Sequence, residues 1–237
     1  KTDAGNIKIE YSTSVLDEII EGITFGFYKA PVTVTVTAED ETAGVEYFEL
    51  TYTKEAGASN VNTDTYKTEK LTAVQDAEDK SVFTATHTIP AQARGSVSVD
   101  VMDRAGNDSA KADANKVVVV DDIIPVLDVQ YAFTDGQYRE YNDIYYTQGE
   151  TKVTFTIDEA NFDVASKPVV TVNEENREVT WNPTSGTDKW VGEITLTGNG
   201  DYAIKVTFAD KSGNVMDTYE KTVHIDNEAP VFDVTYD

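Results

Sequence analysis

The sequence predicts an all-β protein made of two tandem β-sandwich domains with seven to eight strands each. Two observations lead to this fold class: apolar and polar residues alternate with a period of two in many short segments, and one long motif occurs twice. In both copies an Asp-x-x-Gly-Asn turn precedes a hydrophobic run, acidic residues, a proline and a new alternating segment. The copies cover residues 103–131 and 210–236 and recur after 105 to 107 residues, the length of one domain.

The alternation is clearest over residues 32–37, where three valines point to one face and three threonines to the other. A strand with this pattern is buried on one face only, and β-branched residues suit such a surface. The first-domain strands are predicted over residues 7–11, 23–27, 32–38, 45–53, 66–73, 81–89, 95–103 and 116–120, and one helical turn is expected over 15–21. The second-domain strands are predicted over residues 126–131, 144–147, 152–158, 168–173, 177–181, 189–197, 201–209 and 219–225.

Seven or eight short strands in about a hundred residues, separated by Gly, Asn, Asp and Pro turns, are typical of an immunoglobulin-like sandwich. Tyr202 and Ile204 have the position of an immunoglobulin tyrosine corner, with Ile204 where a cysteine would stand. Counted back from the repeated aspartate, Gly95 takes the place of Tyr202 in the first domain. A tyrosine corner is therefore predicted only in the second domain.

The repeat predicts domain boundaries at residues 1–122 and 123–228, with 229–237 as a linker and the first strand of a following, truncated repeat. Both ends are therefore expected to be cuts inside a longer repeat protein. The first domain is the longer one, and we expect its surplus in the polar region 54–80, because surface loops tolerate insertions at little entropic cost.

The second domain resembles one repeat of the tandem bacterial immunoglobulin-like domains of large Gram-positive cell-surface proteins. The matching segments are residues 156–163, Trp181, 190–196, 200–202, 208–214 and 225–230. The first domain matches more loosely and lacks a counterpart of the turn at residues 161–163. The resemblance implies a stalk or adhesin segment that is extracellular and associated with the cell surface or cell wall.

The charge and the residue usage exclude several function classes. The formal net charge is −24, from 43 acidic and 19 basic residues, so binding to nucleic acids or to anionic membrane surfaces is not expected. Direct membrane insertion of this segment is not expected either. Cysteine is absent, which excludes disulfides, a thiolate nucleophile and cysteine-ligated zinc. A hydrophobic content of 40% argues against a disordered chain.

Acidic residues provide two candidate cation sites. The two Asp-x-x-Gly-Asn turns are interpreted mainly as structural hairpin turns, since glycine permits a positive φ and Asp and Asn cap backbone N–H groups. The linker acids are Asp121 and Asp122 in the first copy and Asp226, Asn227 and Glu228 in the second. They carry the hypothesis that calcium stiffens the interdomain linkers. The alternative is that acids beside a proline keep a short linker extended and solvated.

Aromatic residues provide a candidate binding surface. Tyr138, Tyr141, Tyr145 and Tyr146 cluster in the second domain, and Trp181 and Trp190 follow. Exposed rings would stack on sugars, whereas buried rings would only fill the core.

No catalytic and no cofactor-binding residue is predicted, because the sequence contains no nucleophile elbow, phosphate loop, HExxH or EF-hand pattern. His87 and His224, the two histidines, are expected to face solvent on their strands. The chain is therefore not expected to be an enzyme.

The predicted function is that of a non-catalytic extracellular repeat segment, a stalk or spacer in a cell-surface adhesin-like protein. Its expected partners are the neighbouring repeats of the same chain and host or plant glycans or surface proteins. The alternatives are a glycan- or protein-binding module and an accessory domain of a secreted polysaccharide-active enzyme.

Overall fold

The computed structural model describes residues 7–13, 26–59, 61–109, 111–134 and 136–235. These residues form 19 strands in four sheets and contain no α-helix. The prediction of an all-β fold with tandem immunoglobulin-like sandwiches is confirmed. The helical turn expected over residues 15–21 and most of the strand expected over 23–27 lie outside the described residues.

The chain divides into two compact units. The first contains residues 1–123 and 211–214, and the second contains residues 124–210 and 215–237. Residues 226–235 have no regular secondary structure, and the expectation that the last residues open a further repeat stays a prediction.

The first unit is a sandwich of a four-stranded and a five-stranded sheet. Its strands are β1 Lys8–Thr13, β2 Phe27–Tyr28, β3 Val32–Glu39, β4 Val45–Lys54, β5 Thr68–Thr72, β6 Val74–Gln75, β7 Val82–Ile89, β8 Ala93–Asp103 and β9 Ala112–Val120. The four-stranded sheet has the order β1-β3-β7-β6, and the five-stranded sheet has the order β2-β9-β8-β4-β5. All neighbours are antiparallel except β2 and β9, which are parallel.

Alternate residues of the central strands form the core of the first unit. Val32, Val34 and Val36 on β3 are fully buried, whereas the threonines between them are half-buried on the other face. Phe48 and Phe83 meet them from β4 and β7. The period-two pattern of residues 32–37 therefore predicted which face of this strand packs inward.

The second unit has the same architecture with ten strands. They are β10 Val126–Phe133, β11 Arg139–Tyr141, β12 Ile144–Thr147, β13 Thr151–Asp158, β14 Val169–Val172, β15 Glu175–Arg177, β16 Asn182–Pro183, β17 Lys189–Leu196, β18 Gly200–Thr207 and β19 Tyr219–Ile225. One sheet has the order β10-β13-β17-β16, and the other has the order β11-β12-β19-β18-β14-β15. The hairpins β11–β12 and β14–β15 turn through Asn142-Asp143 and Asn173-Glu174, all with positive φ, as a type I′ turn requires.

The strand expected over residues 177–181 is not formed, although this segment is part of the core. Strand β15 ends at Arg177, and Val179 and Trp181 follow outside any strand with only 9% and 7% of their surface exposed. Gly192 on β17 makes room for them, since a Cβ there would lie 2.5 Å from Val179 Cγ1. In the sequence Val179 and Trp181 are two positions apart, as two inward residues of a strand would be, and this spacing led to the incorrect strand prediction.

The tyrosine corner is present in the second unit, as predicted. The Tyr202 hydroxyl lies 2.5 Å from the carbonyl oxygen of Thr197 and 2.9 Å from that of Gly198. The equivalent Gly95 cannot carry a tyrosine, because a Cβ there would lie 2.2 Å from the Thr53 carbonyl oxygen on the neighbouring strand. The close approach of the β4 and β8 backbones thus excludes a tyrosine at this position of the first unit.

The polar region 54–80, where the surplus length of the first domain is expected, contains more than a loop. This region contains a 3-10 turn at Thr63–Thr65 and the strands β5 and β6. Tyr66 stacks on the buried Tyr52 with 5.2 Å between the ring centres, and its hydroxyl donates to the Arg94 carbonyl oxygen and accepts from the Arg94 N–H. Part of this polar region therefore belongs to the sandwich, in line with the strand predicted over residues 66–73.

Replacing the corner tyrosine in Tyr202→Phe should destabilise the second unit by about 1 kcal/mol, the usual contribution of one intramolecular hydrogen bond. Denaturant unfolding followed by tryptophan fluorescence reports on this unit, because both tryptophans lie in it. The same change at the exposed Tyr138 should have little effect. Equal stability of the Tyr202→Phe variant and the unaltered chain would show that the corner is energetically neutral.

Candidate functional site

The first Asp-x-x-Gly-Asn turn is held together by Asp103, which is buried. Its carboxylate accepts hydrogen bonds from the N–H groups of Ala105 at 2.8 Å and Asn107 at 2.7 Å, and from the Asn107 side-chain amide at 2.7 Å. Gly106 has a φ of +85°, which glycine adopts without strain. These contacts support the structural interpretation of this turn.

The second turn repeats the backbone conformation, with a φ of +82° at Gly213. Asp210 and Asn214 are buried, Asn214 completely. The Asn214 amide donates a hydrogen bond of 2.8 Å to the carbonyl oxygen of Asp121, which belongs to the same compact unit. Asn214 is thus a structural donor.

The linker acids differ in burial. Asp121 is 5% exposed and its carboxylate accepts from the Ile123 N–H at 3.0 Å, while Asp122 is exposed. In the second copy Asp226, Asn227 and Glu228 are all exposed, and the Asp226 carboxylate accepts from the Glu228 N–H at 2.9 Å. These contacts shape the two segments, and calcium binding there stays a hypothesis.

Glu159 and Asp210 form a buried carboxylate pair within the second unit that sequence reasoning missed. They are 4% and 5% exposed, and a carboxylate oxygen of each lies within 4.8 Å of one of the other. Calcium takes about six to eight oxygen ligands, so this pair by itself identifies no ion. The alternation could have revealed both residues, since Glu159 and Asp210 follow the inward residues Ile157 and Phe208 by two positions.

The prediction that both histidines face solvent is wrong for His87. Its side chain is only 13% exposed because it shares the inward face of β7 with Ala85 and Ile89, and its Nδ1 lies 3.0 Å from a Glu69 carboxylate oxygen. His224 lies on the outer face of β19, with 31% of its side chain exposed, and pairs with Asp201. In the sequence His87 lies between Thr86 and Thr88, and these polar neighbours do not indicate which face of the strand is buried.

The predicted aromatic set divides into buried and exposed rings. Trp181 belongs to the core, and Trp190 stacks on Phe162 with 4.3 Å between the ring centres. Tyr141 is the most exposed ring of the set, at 68%. The rings of Tyr138, Tyr141 and Tyr146 are exposed, while Tyr145 is half-buried.

Tyr145 belongs to an edge cluster that closes one side of the second sandwich. Its ring meets those of Tyr131, Phe133 and Tyr138 edge-on at 5.0 to 5.9 Å. The Tyr131 and Tyr219 hydroxyls are 2.9 Å apart, and burial together with this hydrogen bond raises the pKa of Tyr131. These rings are mainly structural.

Lys221 covers the edge cluster with its cationic end. Its Nζ lies 4.2 Å from the centre of the Tyr145 ring and donates to the carboxylates of Asp143 and Glu140, the latter at 2.8 Å. Burial alone would lower the pKa of Lys221, but the hydrogen bonds to Asp143 and Glu140 outweigh it and raise this pKa. The ammonium therefore stays charged and is a poor nucleophile.

Comparison with known proteins gives no family. No family model matches the sequence, and no curated protein matches it. Among solved structures, the fibronectin(III)-like modules of Clostridium thermocellum CbhA align over 97% of this chain and 100% of that chain, with 13% identity and a TM-score of 0.30. So low a score supports no functional argument, and the fold assignment rests on the sheets themselves. Among the described residues no helix has the length and apolarity needed to cross a membrane.

The Asp103 turn predicts a specific dependence of stability on pH. The side-chain amide of Asn107, followed by the N–H groups of Asn107 and Ala105, lowers the pKa of Asp103 in the folded chain. Such a carboxylate stabilises the fold above its unfolded pKa of about 3.9, and the contribution is lost as the pH falls through the folded value.

The Asp103→Asn variant should therefore melt roughly 5 °C lower than the unaltered chain at pH 7, and the difference should shrink below about pH 4. Calorimetry across this pH range measures it. Asp108→Asn, at an exposed position just after the turn, controls for the loss of one negative charge. A difference that stayed constant down to pH 2 would contradict the assigned role of the carboxylate.

The calcium hypothesis for the linker acids is tested by ligand linkage. An ion that binds only the folded chain raises its melting temperature. Calorimetry in millimolar calcium should then give a melting temperature several degrees above that in chelator, and Asp226→Asn should reduce the rise. Magnesium at the same concentration is the control, because it prefers a smaller octahedral site. Superimposable curves in calcium and chelator would end the hypothesis.

Proposed function

We propose that this chain is a non-catalytic, extracellular segment of immunoglobulin-like repeats that acts as a stalk or spacer in a cell-surface or cell-wall-associated protein of the adhesin type. The observation that carries the proposal is a strand pairing shared by the two units. In each unit the last strand pairs in parallel with an early strand, β9 with β2 and β19 with β12.

Parallel pairing between an early and a late strand suits a load-bearing module. A pull on the two chain ends draws the paired strands in opposite directions along their length. All hydrogen bonds of the ladder are then loaded together, whereas strands pulled apart from one end would lose them one by one. The β12–β19 pair joins four residues of each strand, from Ile144 and Thr222 to Thr147 and Ile225.

Two further observations support independent modules. Each unit has its own hydrophobic cluster, with fully buried residues such as Phe48 in the first and Phe155 in the second. The connection from the end of β9 at Val120 to the start of β10 at Val126 is five residues, 121–125, and contains Pro125. A spacer needs stable modules on short connections and no catalytic group.

The two alternative functions expected from the sequence, a binding module and an accessory domain of an enzyme, both require that the chain recognises a ligand. A glycan- or protein-binding module would need an accessible recognition surface, and the exposed tyrosines of the second unit are the observation that favours it. An accessory domain of a secreted polysaccharide-active enzyme would share that requirement. Neighbouring repeats of the same chain are the partners that the spacer role itself implies.

Single-molecule stretching of the 237-residue chain tests the spacer proposal. We expect two separate unfolding events, each releasing about 350 Å of chain, from about 100 residues at roughly 3.5 Å each. Thr222→Pro removes a backbone N–H from β19, which pairs with both β12 and β18, and should weaken or abolish one event. Asn176→Pro, on the exposed edge strand β15, should leave both events in place. Unfolding without resistance, or two events in the Thr222→Pro variant with the same forces as in the unaltered chain, would refute the load-bearing role.

A further inference from the structure

In the six-stranded sheet of the second unit, the outer face of the four strands β11, β12, β19 and β18 carries an ordered set of side chains that the spacer role does not use. Residues paired across neighbouring strands point to the same face. The strand registers therefore place Arg139, Tyr146, His224 and Asp201 in one row. A second row contains Tyr141, Ile144, Thr222 and Ala203.

Two tyrosine rings are exposed on this face. Tyr141 is 68% exposed and Tyr146 is 36% exposed. They stand on adjacent strands in adjacent rows, a diagonal of about 7–8 Å between backbone positions. The centres of the Tyr146 and His224 rings are 5.2 Å apart, and this contact limits the movement of the Tyr146 ring. The face thus offers two neighbouring aromatic surfaces to solvent.

Hydrogen-bonding groups stand beside these rings. Arg139 and His224 are the cross-strand neighbours of Tyr146, and Asp201 follows in the same row. His224 Nδ1 lies 2.5 Å from an Asp201 carboxylate oxygen, so one nitrogen of the imidazole is engaged and its orientation is set. Aromatic faces flanked by polar groups match the chemistry of a pyranose ring, which has an apolar C–H face and hydroxyls around its rim.

The charges of this face favour a neutral ligand. The four strands present Arg139, Lys205, Asp201 and Glu220 on it, two cations and two anions, and Lys205 pairs with Glu220 at 3.0 Å. The face is balanced, whereas the whole chain carries a formal charge of −24. A polyanionic glycan would be repelled by the surroundings, and a neutral one would not.

The apolar content of the face is too small for a stable protein interface. Beside the two tyrosines, its apolar side chains are the half-buried Ile144 and the small Ala203. Stable protein partners bury about 800 Å² per side around a fully desolvated apolar centre. A sugar chain needs far less area and uses separate rings with polar neighbours.

We propose that this outer face binds a neutral polysaccharide, with Tyr141 and Tyr146 stacking on sugar rings and with Arg139 and His224 hydrogen-bonding to hydroxyls. The binding is a recognition function in addition to load bearing and does not depend on it. Tyr145, the sequence neighbour of Tyr146, takes no part, because its ring lies on the inward side in the edge cluster.

The test is binding of the 237-residue chain to soluble neutral polysaccharides, namely β-glucans, mannans and galactans, with polygalacturonate as the acidic comparison. Affinity electrophoresis screens the set, and calorimetry measures Kd for the hits. We expect binding to at least one neutral polymer, weaker binding to polygalacturonate, and a loss of roughly tenfold or more in affinity in the Tyr141→Ala, Tyr146→Ala double variant.

The control is Tyr138→Ala, which removes an exposed tyrosine of the same region that stacks on Phe133 and is not on this face. Its affinity should be unchanged, and circular dichroism with melting curves must show that each variant folds. No binding to any neutral polymer, or equal binding by the double variant, would overturn the proposal. The stretching experiment is unaffected by either result, so the two proposals fail separately.

Discussion

Burial of every second side chain between two sheets is the constraint on which both units depend. Val34 on β3 and Phe155 on β13 are completely buried, and their neighbours along the chain face outward. A slip of one residue in either strand would send the whole inward row to solvent. The register is therefore fixed by the core, and the turns, edges and outer faces must fit around it.

The ends of the inward rows explain why the same turn occurs twice. Val99, Val101 and Asp103 lie on one face of β8, and Val206, Phe208 and Asp210 continue one face from β18. At each end the row passes from apolar residues to a buried carboxylate. A buried carboxylate must be hydrogen-bonded, and Asp103 is bonded by the turn that it helps to build. The Asp-x-x-Gly-Asn motif thus closes an inward row and reverses the chain.

The open sides of the sandwiches are closed by side chains with an apolar body and a polar end. His87 pairs with Glu69 at one edge of the first unit, and Lys221 pairs with Glu140 over the Tyr145 ring in the second. Such side chains cover apolar surface while their polar ends remain accessible. The aromatic and ionic groups at these edges pack against the sandwiches, whereas Tyr141 and Tyr146 lie exposed on the outer sheet face.

The sequence by itself determined the repeat, the inward face of strands such as β3 and the single tyrosine corner, because each depends on local spacing. Only the tertiary structure decided that Trp181 is buried without a strand, that His87 points inward, and that Tyr145 packs inward while Tyr146 is exposed. It also showed Glu159 and Asp210 as neighbours. These facts depend on which distant strands come together, and one strand's pattern carries no record of its partner.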